Sequence, residues 1–311
     1  MNRKGGSAVK KTCALLLLCL LLCGCGEGRA AQGTVQESPP PSAETPAPIA
    51  LPTPPVLPIR PADDELLRVQ AELPGIRVDL RYAGENNFTG QVIYDFSEAW
   101  LRYGTVQKLR AAEESLNAQG YELLIWDAFR PQSAQYVLWS VVPDPVYVAN
   151  PYGGHSGHSN GGTVDITLVS LDGSPVEMPS GFDEFSSLAD RDYSDVSPEA
   201  AEHARILERA MVVAGFVPYA GEWWHYTDSD AYPYEDLEAI RLPASGESRC
   251  CPAGERELTL RTAPDPHAPA LTRIPGGTSL QILGYAKGFA RVEYLGQQGY
   301  VPLDELQNTE P

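Results

Sequence analysis

The sequence predicts an α+β domain over residues 61–245 and a small all-β unit over residues 252–306. Three observations carry that reading. Short strand-like runs in the first stretch are interleaved with long segments of helical spacing. The second stretch consists of brief β-like runs separated by Gly and Pro turns. Ahead of both lies a Pro-rich stretch with no hydrophobic period, which sets the folded part apart from the N-terminus.

Residues 1–24 read as a targeting signal. Arg3, Lys4, Lys10 and Lys11 surround or precede the start of an apolar run from Cys13 to Cys23. That run is short for a bilayer span and of the length of a signal-peptide core. It closes on Leu22-Cys23-Gly24-Cys25, which resembles a bacterial lipobox, with the Cys at its second position a departure from the pattern. The resemblance implies an exported lipoprotein on the extracytoplasmic face, lipidated at Cys25. Two acyl chains anchor stably where one does not. An ordinary secretory signal is the alternative. Residues 25–60 are rich in Pro, Ala, Ser, Thr and Glu and read as a semi-extended linker, reaching ~3 Å per residue where polyproline-like.

Within the α+β stretch, residues 76–82 alternate as a strand after the turn at Leu73-Pro74-Gly75. Residues 98–119 place Leu101, Val106, Leu109, Ala112 and Leu116 at helical spacing before Gly120. Residues 121–129 form an apolar strand, and Pro131 opens a helix running to about Trp139. Residues 163–169 are a further strand. Ser197-Pro198-Glu199 caps a helix that continues to Gly215, and a last strand covers residues 217–226. The β-like runs of the second stretch lie at residues 257–261, 279–283, 290–294 and 299–301, and are read as a separate unit.

The formal charge is -18, and removing residues 1–24 leaves 19 basic and 41 acidic side chains, a net of -22. Such a field repels phosphate backbones and excludes nucleic-acid binding. Acidity of this kind also serves solubility alone. Of six cysteines, three remain after processing: Cys25, Cys250 and Cys251. An adjacent pair and a lipidation site make no disulfide framework. Cys250 and Cys251 are left as a vicinal disulfide, an intermolecular pair or free thiols.

Five histidines limit the metal candidates. His158 lies in Ser156-Gly157-His158-Ser159-Asn160-Gly161-Gly162-Thr163-Val164-Asp165, and His225 in Glu222-Trp223-Trp224-His225. Zinc takes ~4 ligands from imidazole and carboxylate, with one position left for water at a catalytic site. Alone, His158 is as well a turn histidine and Asp165 a strand-end carboxylate. Together with His225 they make a ligand set, with the Gly-Gly turn letting loop and strand converge. Asp165 stands between Val164 and Ile166, and a carboxylate among aliphatics needs a partner. Glu222 is the candidate general base. In a regular strand residues three apart face opposite ways, so the chain must bend between Glu222 and His225 for both to reach one ion. His155 reads as a loop neighbour of the site, His203 as a solvated surface residue, and the tryptophans as core or pocket wall.

These motifs resemble the metal signature of the zinc D-Ala-D-Ala dipeptidase and carboxypeptidase superfamily. Glu222-Trp223-Trp224-His225, Trp126-Asp127-Ala128-Phe129-Arg130-Pro131-Gln132, Asn87-Phe88-Thr89-Gly90 and Gly181-Phe182-Asp183-Glu184-Phe185 are similar to its VanX-type dipeptidase branch. Thr163 replaces the usual Ala before the aspartate. The resemblance spans roughly residues 70–235 and implies a Hedgehog/DD-peptidase-like fold with an antiparallel sheet. It implies one Zn2+ per chain on His158, Asp165 and His225, with Glu222 as base and Arg130 as oxyanion stabiliser held by Asp127. Ser156 and Asp183 would contact substrate, Asp183 through its ammonium. The implied substrate is D-Ala-D-Ala or a short muropeptide. The alternatives are a D,D- or L,D-carboxypeptidase on longer stems and a silent peptidoglycan-binding protein. The C-terminal unit resembles a bacterial SH3 domain, with Phe289 where a Trp is usual. Two roles stay open for it: binding peptidoglycan, or packing on the peptidase.

Overall fold

The computed structural model describes residues 59–235 and 249–308. The signal at 1–24, Cys25, nearly all of the linker and the predicted domain end at 245 lie outside the described residues.

The first part of the chain runs β1 (Leu66–Arg68), α1 (Val69–Glu72), β2 (Arg77–Val78), β3 (Trp100–Arg102), α2 (Tyr103–Asn117), β4 (Tyr121–Asp127), α3 (Gln132–Val141), β5 (Thr163–Ser170), α4 (Pro198–Ala214), β6 (Phe216–Pro218) and β7 (His225–Asp228). The second part adds β8 (Arg249–Pro252), β9 (Leu258–Arg261), β10 (Ala270–Ile274), β11 (Leu280–Ala286), β12 (Phe289–Tyr294), β13 (Gln297–Pro302) and β14 (Leu306–Asn308).

Local rules account for the helices. Ser197 caps α4, its Oγ accepting from Ala200 N at 3.0 Å, and Pro198 follows at the first helical position. Residues buried along α4, among them Ala200, Ala204, Leu207 and Met211, recur three or four apart on one face. The predicted helix over 98–119 begins five residues late. Trp100–Arg102 pairs with β1 instead, and helix starts only at Tyr103. The strand predicted over 76–82 keeps two residues of pairing before the chain turns into a 3-10 helix at Arg81–Ala83.

A five-stranded sheet, ordered β2-β4-β5-β7-β6, is the frame of the first part. It is antiparallel except for the β2–β4 edge, which is parallel. Helices α2 and α4 pack on it. Trp223 and Trp224 are fully buried between β6 and β7, and truncating either to Ala costs about 3–5 kcal/mol.

The C-terminal unit, predicted to stand apart, does not. Strands β10-β9-β13-β12-β11 continue directly into β1 and β3 of the first part, with β8 and β14 pairing alongside. Leu66 faces Tyr285 and Leu67 faces Gly284 across the β1–β11 junction. Strands too short to be stable as a pair are thereby absorbed into a large sheet. Cys250 is buried, Cys251 half-buried, and neither is disulfide-linked.

Candidate metal centre

Cross-strand pairing assembles the site. On β4, β5 and β7 the partners are Asp127 with Asp165, and Asp165 with His225. Residues directly opposite in antiparallel strands share a face, so the sheet lays Asp127, Asp165 and His225 in one row. A register shift in β4 between Ile125 and Asp127 brings Asp127 into that row.

His158 arrives from a capped loop. A single 3-10 turn at Gly157–Asn160 is opened by Ser156, whose Oγ accepts from His158 N at 3.3 Å, and closed by Gly161 at φ 74°. A side chain at Gly161 would be strained there, and its Cβ would lie 2.8 Å from Leu66 Cδ1. Glu222 comes from the break between β6 and β7. Pairing stops at Pro218, and His225 N donates to Glu222 O at 3.3 Å across a turn. That turn is the bend required for Glu222 and His225 to converge.

The ligand atoms of His158, Asp165 and His225 lie within 4.8 Å of one another. Their protonation pattern fits a cation. His158 Nδ1 is 2.9 Å from Ala128 O and must donate to it, so that in the neutral imidazole Nε2 carries the lone pair. That Nε2 is buried without a hydrogen-bond partner, 3.3 Å from Asp165 Oδ2. A lone pair facing a carboxylate oxygen in a buried place is a donor set awaiting a positive charge. His225 Nδ1 faces the other carboxylate oxygen at 2.9 Å. Two imidazoles and one carboxylate are the borderline-soft set that suits zinc.

Glu222 Oε2 stands 3.5 Å from His225 Nδ1. Burial pushes the Glu222 carboxyl up to about 8, with His225 opposing and Asp165 reinforcing the shift. Arg130 is fixed by Asp127, which accepts from its Nε at 3.0 Å and Nη2 at 2.7 Å, and by Gln135, which accepts from Nη1 at 2.8 Å. Its Nη2 is 3.8 Å from Asp165 Oδ2. Asp183, at φ 55°, accepts from Tyr82 OH at 2.8 Å, and burial pushes its carboxyl up to about 8.

Every described candidate (Ser156, His158, Asp165, Asp183, Glu222, His225 and Arg130) lines one cavity of about 250 Å³. A larger cavity of about 600 Å³ beside it shares Phe88 and Asp183 but includes none of the three ligand candidates. His155 is stacked on Tyr234, its ring 3.4 Å away, and does not enter the ligand set. His203, predicted to be solvated, is half-buried instead, its Nδ1 2.7 Å from Glu177 O.

The sequence profile described as D-Ala-D-Ala dipeptidase matches residues 62–239, more than half of the chain. The chain belongs to the D-Ala-D-Ala dipeptidase family. Curated members of the family are similar over most of their length. The D-alanyl-D-alanine dipeptidase of Escherichia coli is 34% identical over 170 residues, which are 55% of this chain and 88% of that protein. Those of Enterococcus faecalis and Streptomyces coelicolor are 33% and 35% identical, over 53% and 49% of this chain and 91% and 86% of theirs. A bacterial SH3 domain profile matches residues 256–307.

Three site residues escaped sequence reasoning. Tyr82 orients Asp183, and the Arg130 guanidinium lies 5.1 Å from its ring. Gln135 is a fully buried polar side chain on α3, holding Arg130 and donating to Ala149 O at 2.8 Å. Tyr94 OH donates to Asp127 at 2.7 Å. Nothing in the residue types or spacing of these three distinguishes them from core aromatics and a surface amide. A buried face on α3 was the one available signal, and it points at Gln135 only after Ala134 and Leu138 are placed in the core.

Proposed function

We propose that the chain is an exported zinc metallopeptidase that hydrolyses D-Ala-D-Ala or similar short D-amino-acid peptides of the cell wall. One observation carries the reading: the partnerless lone pair of His158 Nε2 faces Asp165 and His225 inside a small cavity that also holds Glu222 and Arg130. At about 250 Å³ the enclosure lies below the ~300–1,000 Å³ usual for drug-sized ligands. That size accommodates a dipeptide.

His158, Asp165 and His225 hold the ion. A zinc ion held there would supply Lewis acidity toward water and the scissile carbonyl. Glu222 takes a proton from the attacking water and returns it to the departing amine nitrogen. Arg130, held rigid by Asp127 and Gln135, faces the negative charge that develops on the carbonyl oxygen. Asp183 receives the substrate ammonium, and Ser156 lines the same wall and contributes hydrogen bonds. Tyr82, Tyr147 and Tyr219 line the same cavity.

Export and lipidation at Cys25 rest on the basic start, the apolar run and the lipobox-like ending. An enzyme so anchored trims wall fragments or recovers their amino acids, rather than acting on cytoplasmic precursors.

The test is incubation of zinc-loaded protein with D-Ala-D-Ala and, separately, with a pentapeptide stem, with free D-alanine as the readout. Release from the dipeptide alone is expected. Release from the stem alone overturns the dipeptidase reading in favour of a carboxypeptidase, and release from neither removes the enzymatic one.

A further inference from the structure

The short strand β3 is bonded to both loops that bear on the metal centre. Phe129 N, one residue before Arg130, donates to Trp100 O at 2.9 Å. Arg102 N donates to Gly161 O at 2.8 Å, at the end of the His158 turn. The Arg102 side chain, 1% exposed, repeats the grip: Nε donates to Asn160 O at 2.7 Å and Nη1 to Asp64 O at 2.5 Å. Glu235 balances its charge at 3.2 Å.

β3 has three residues and ends its sheet, with β1 as its strand neighbour. β1 is equally short, and its other edge pairs with β11 of the SH3-like unit. The junction is closely fitted. Gly284 stands opposite Leu67, and a Cβ there would lie 2.2 Å from Leu67 Cδ2 and 3.0 Å from the backbone Leu66 O. Glu65, fully buried, accepts from Tyr300 OH of β13 at 2.7 Å, and Arg291 Nη1 lies 3.6 Å from it. The Tyr285 ring packs 5.6 Å from that of Trp100. The β11 edge is paired here by the chain's own β1.

We infer that the SH3-like unit is a brace of the metal centre, acting through β1 and β3, with Arg102 the positioning residue that fixes the His158 loop. The inference rests on the zinc reading of His158, Asp165 and His225. Tying the carbonyls of Asn160 and Gly161 holds the His158 imidazole at one distance from Asp165. A slack loop lets the donor atoms spread, and an ion is then held less tightly.

The full chain is compared with Gly284→Val, Arg102→Lys and Arg102→Met. Zinc affinity is measured by competition with a chromophoric chelator, folding by circular dichroism, and kcat and KM on D-Ala-D-Ala. Val at 284 pries β1 from β11 without touching the site. Met at 102 keeps the stem of the side chain and removes its donors, while Lys keeps the charge but cannot serve both carbonyls. Gly284→Val and Arg102→Met are expected to lose about 10- to 100-fold in zinc affinity while folded, with Arg102→Lys in between and kcat falling more than KM rises. A merely structural role lowers the unfolding midpoint and leaves the affinity of the folded protein alone. Parental affinity in folded Gly284→Val and Arg102→Met overturns the brace. If Gly284→Val does not fold, the two Arg102 variants decide. A parent chain without zinc affinity overturns the metal reading itself, and the brace with it, so the two failures are distinguishable.

Discussion

Asp127→Asn tests whether Arg130 is held by charge or only by shape. Asp127 is fully buried and accepts four hydrogen bonds, from Tyr94 OH, Ala128 N, and Arg130 Nε and Nη2. Asn has nearly the same shape but one acceptor oxygen, and its NH2 must point at groups that are themselves donors. The substitution therefore leaves a buried guanidinium with Gln135 as its close neutral partner and Asp165 at 3.8 Å as its nearest carboxylate. Removing one member of a buried pair costs about 3–5 kcal/mol. With a urea slope of ~1–3 kcal/mol/M, the unfolding midpoint should fall by roughly 1–5 M. Loss of one preorganised stabiliser of developing charge costs about 10²–10³ in kcat. Urea unfolding followed by tryptophan fluorescence, together with steady-state hydrolysis of D-Ala-D-Ala, reads both effects. A variant with an unchanged midpoint and kcat within a factor of two of the parent would refute the reasoning, since Arg130 would then need no counter-charge.

Other consequences are checked as directly. Glu222→Gln should lower kcat by about 10²–10⁴ while zinc stoichiometry, measured by atomic absorption, stays at one per chain. Asp183→Asn should raise KM for D-Ala-D-Ala more than it lowers kcat, and N-acetylation of the dipeptide should remove the difference between variant and parent. Burial pushes Glu113 up to about 7 from 4.5, while Leu123 N donates to its carboxylate at 2.8 Å. The folded state thus binds this proton more tightly than the unfolded chain, so its stabilisation is complete below about pH 4.5 and is lost as pH rises through about 7. Discounted for partial exposure, the loss is about 1–2 kcal/mol, and Glu113→Gln should flatten it when urea midpoints are compared at pH 5 and pH 8. Ser197→Ala should cost about 1 kcal/mol through the lost cap on α4, read as a lower thermal midpoint.

What could be read from the residues follows the range of the forces involved. The capped start of α4 is a short-range matter, and Ser197-Pro198 announces it. The apolar runs of β4 and β5 are long enough to declare themselves by composition. The ligand set was legible because a Gly-rich turn joins His158 to Asp165 within eight residues, and because Glu222 and His225 could meet one ion only if the chain bent. That bend follows from the requirement for convergence, and pairing does end at Pro218. β1 and β3 were not legible for the opposite reason. Each has three residues, too few to show a period, and β1 owes its pairing to a strand more than 200 positions away, as the contact of Glu65 with Tyr300 at a separation of 235 makes plain. Trp100-Leu101-Arg102 also suits a helix as well as a strand, and local spacing assigned it to the helix that follows. Tertiary pairing overrode that preference because it leaves the backbone of Trp100 and Arg102 free to bond the Arg130 and His158 loops. A helical start at residue 98 would have turned those same groups inward to its own ladder, and the two loops would have lost their common support.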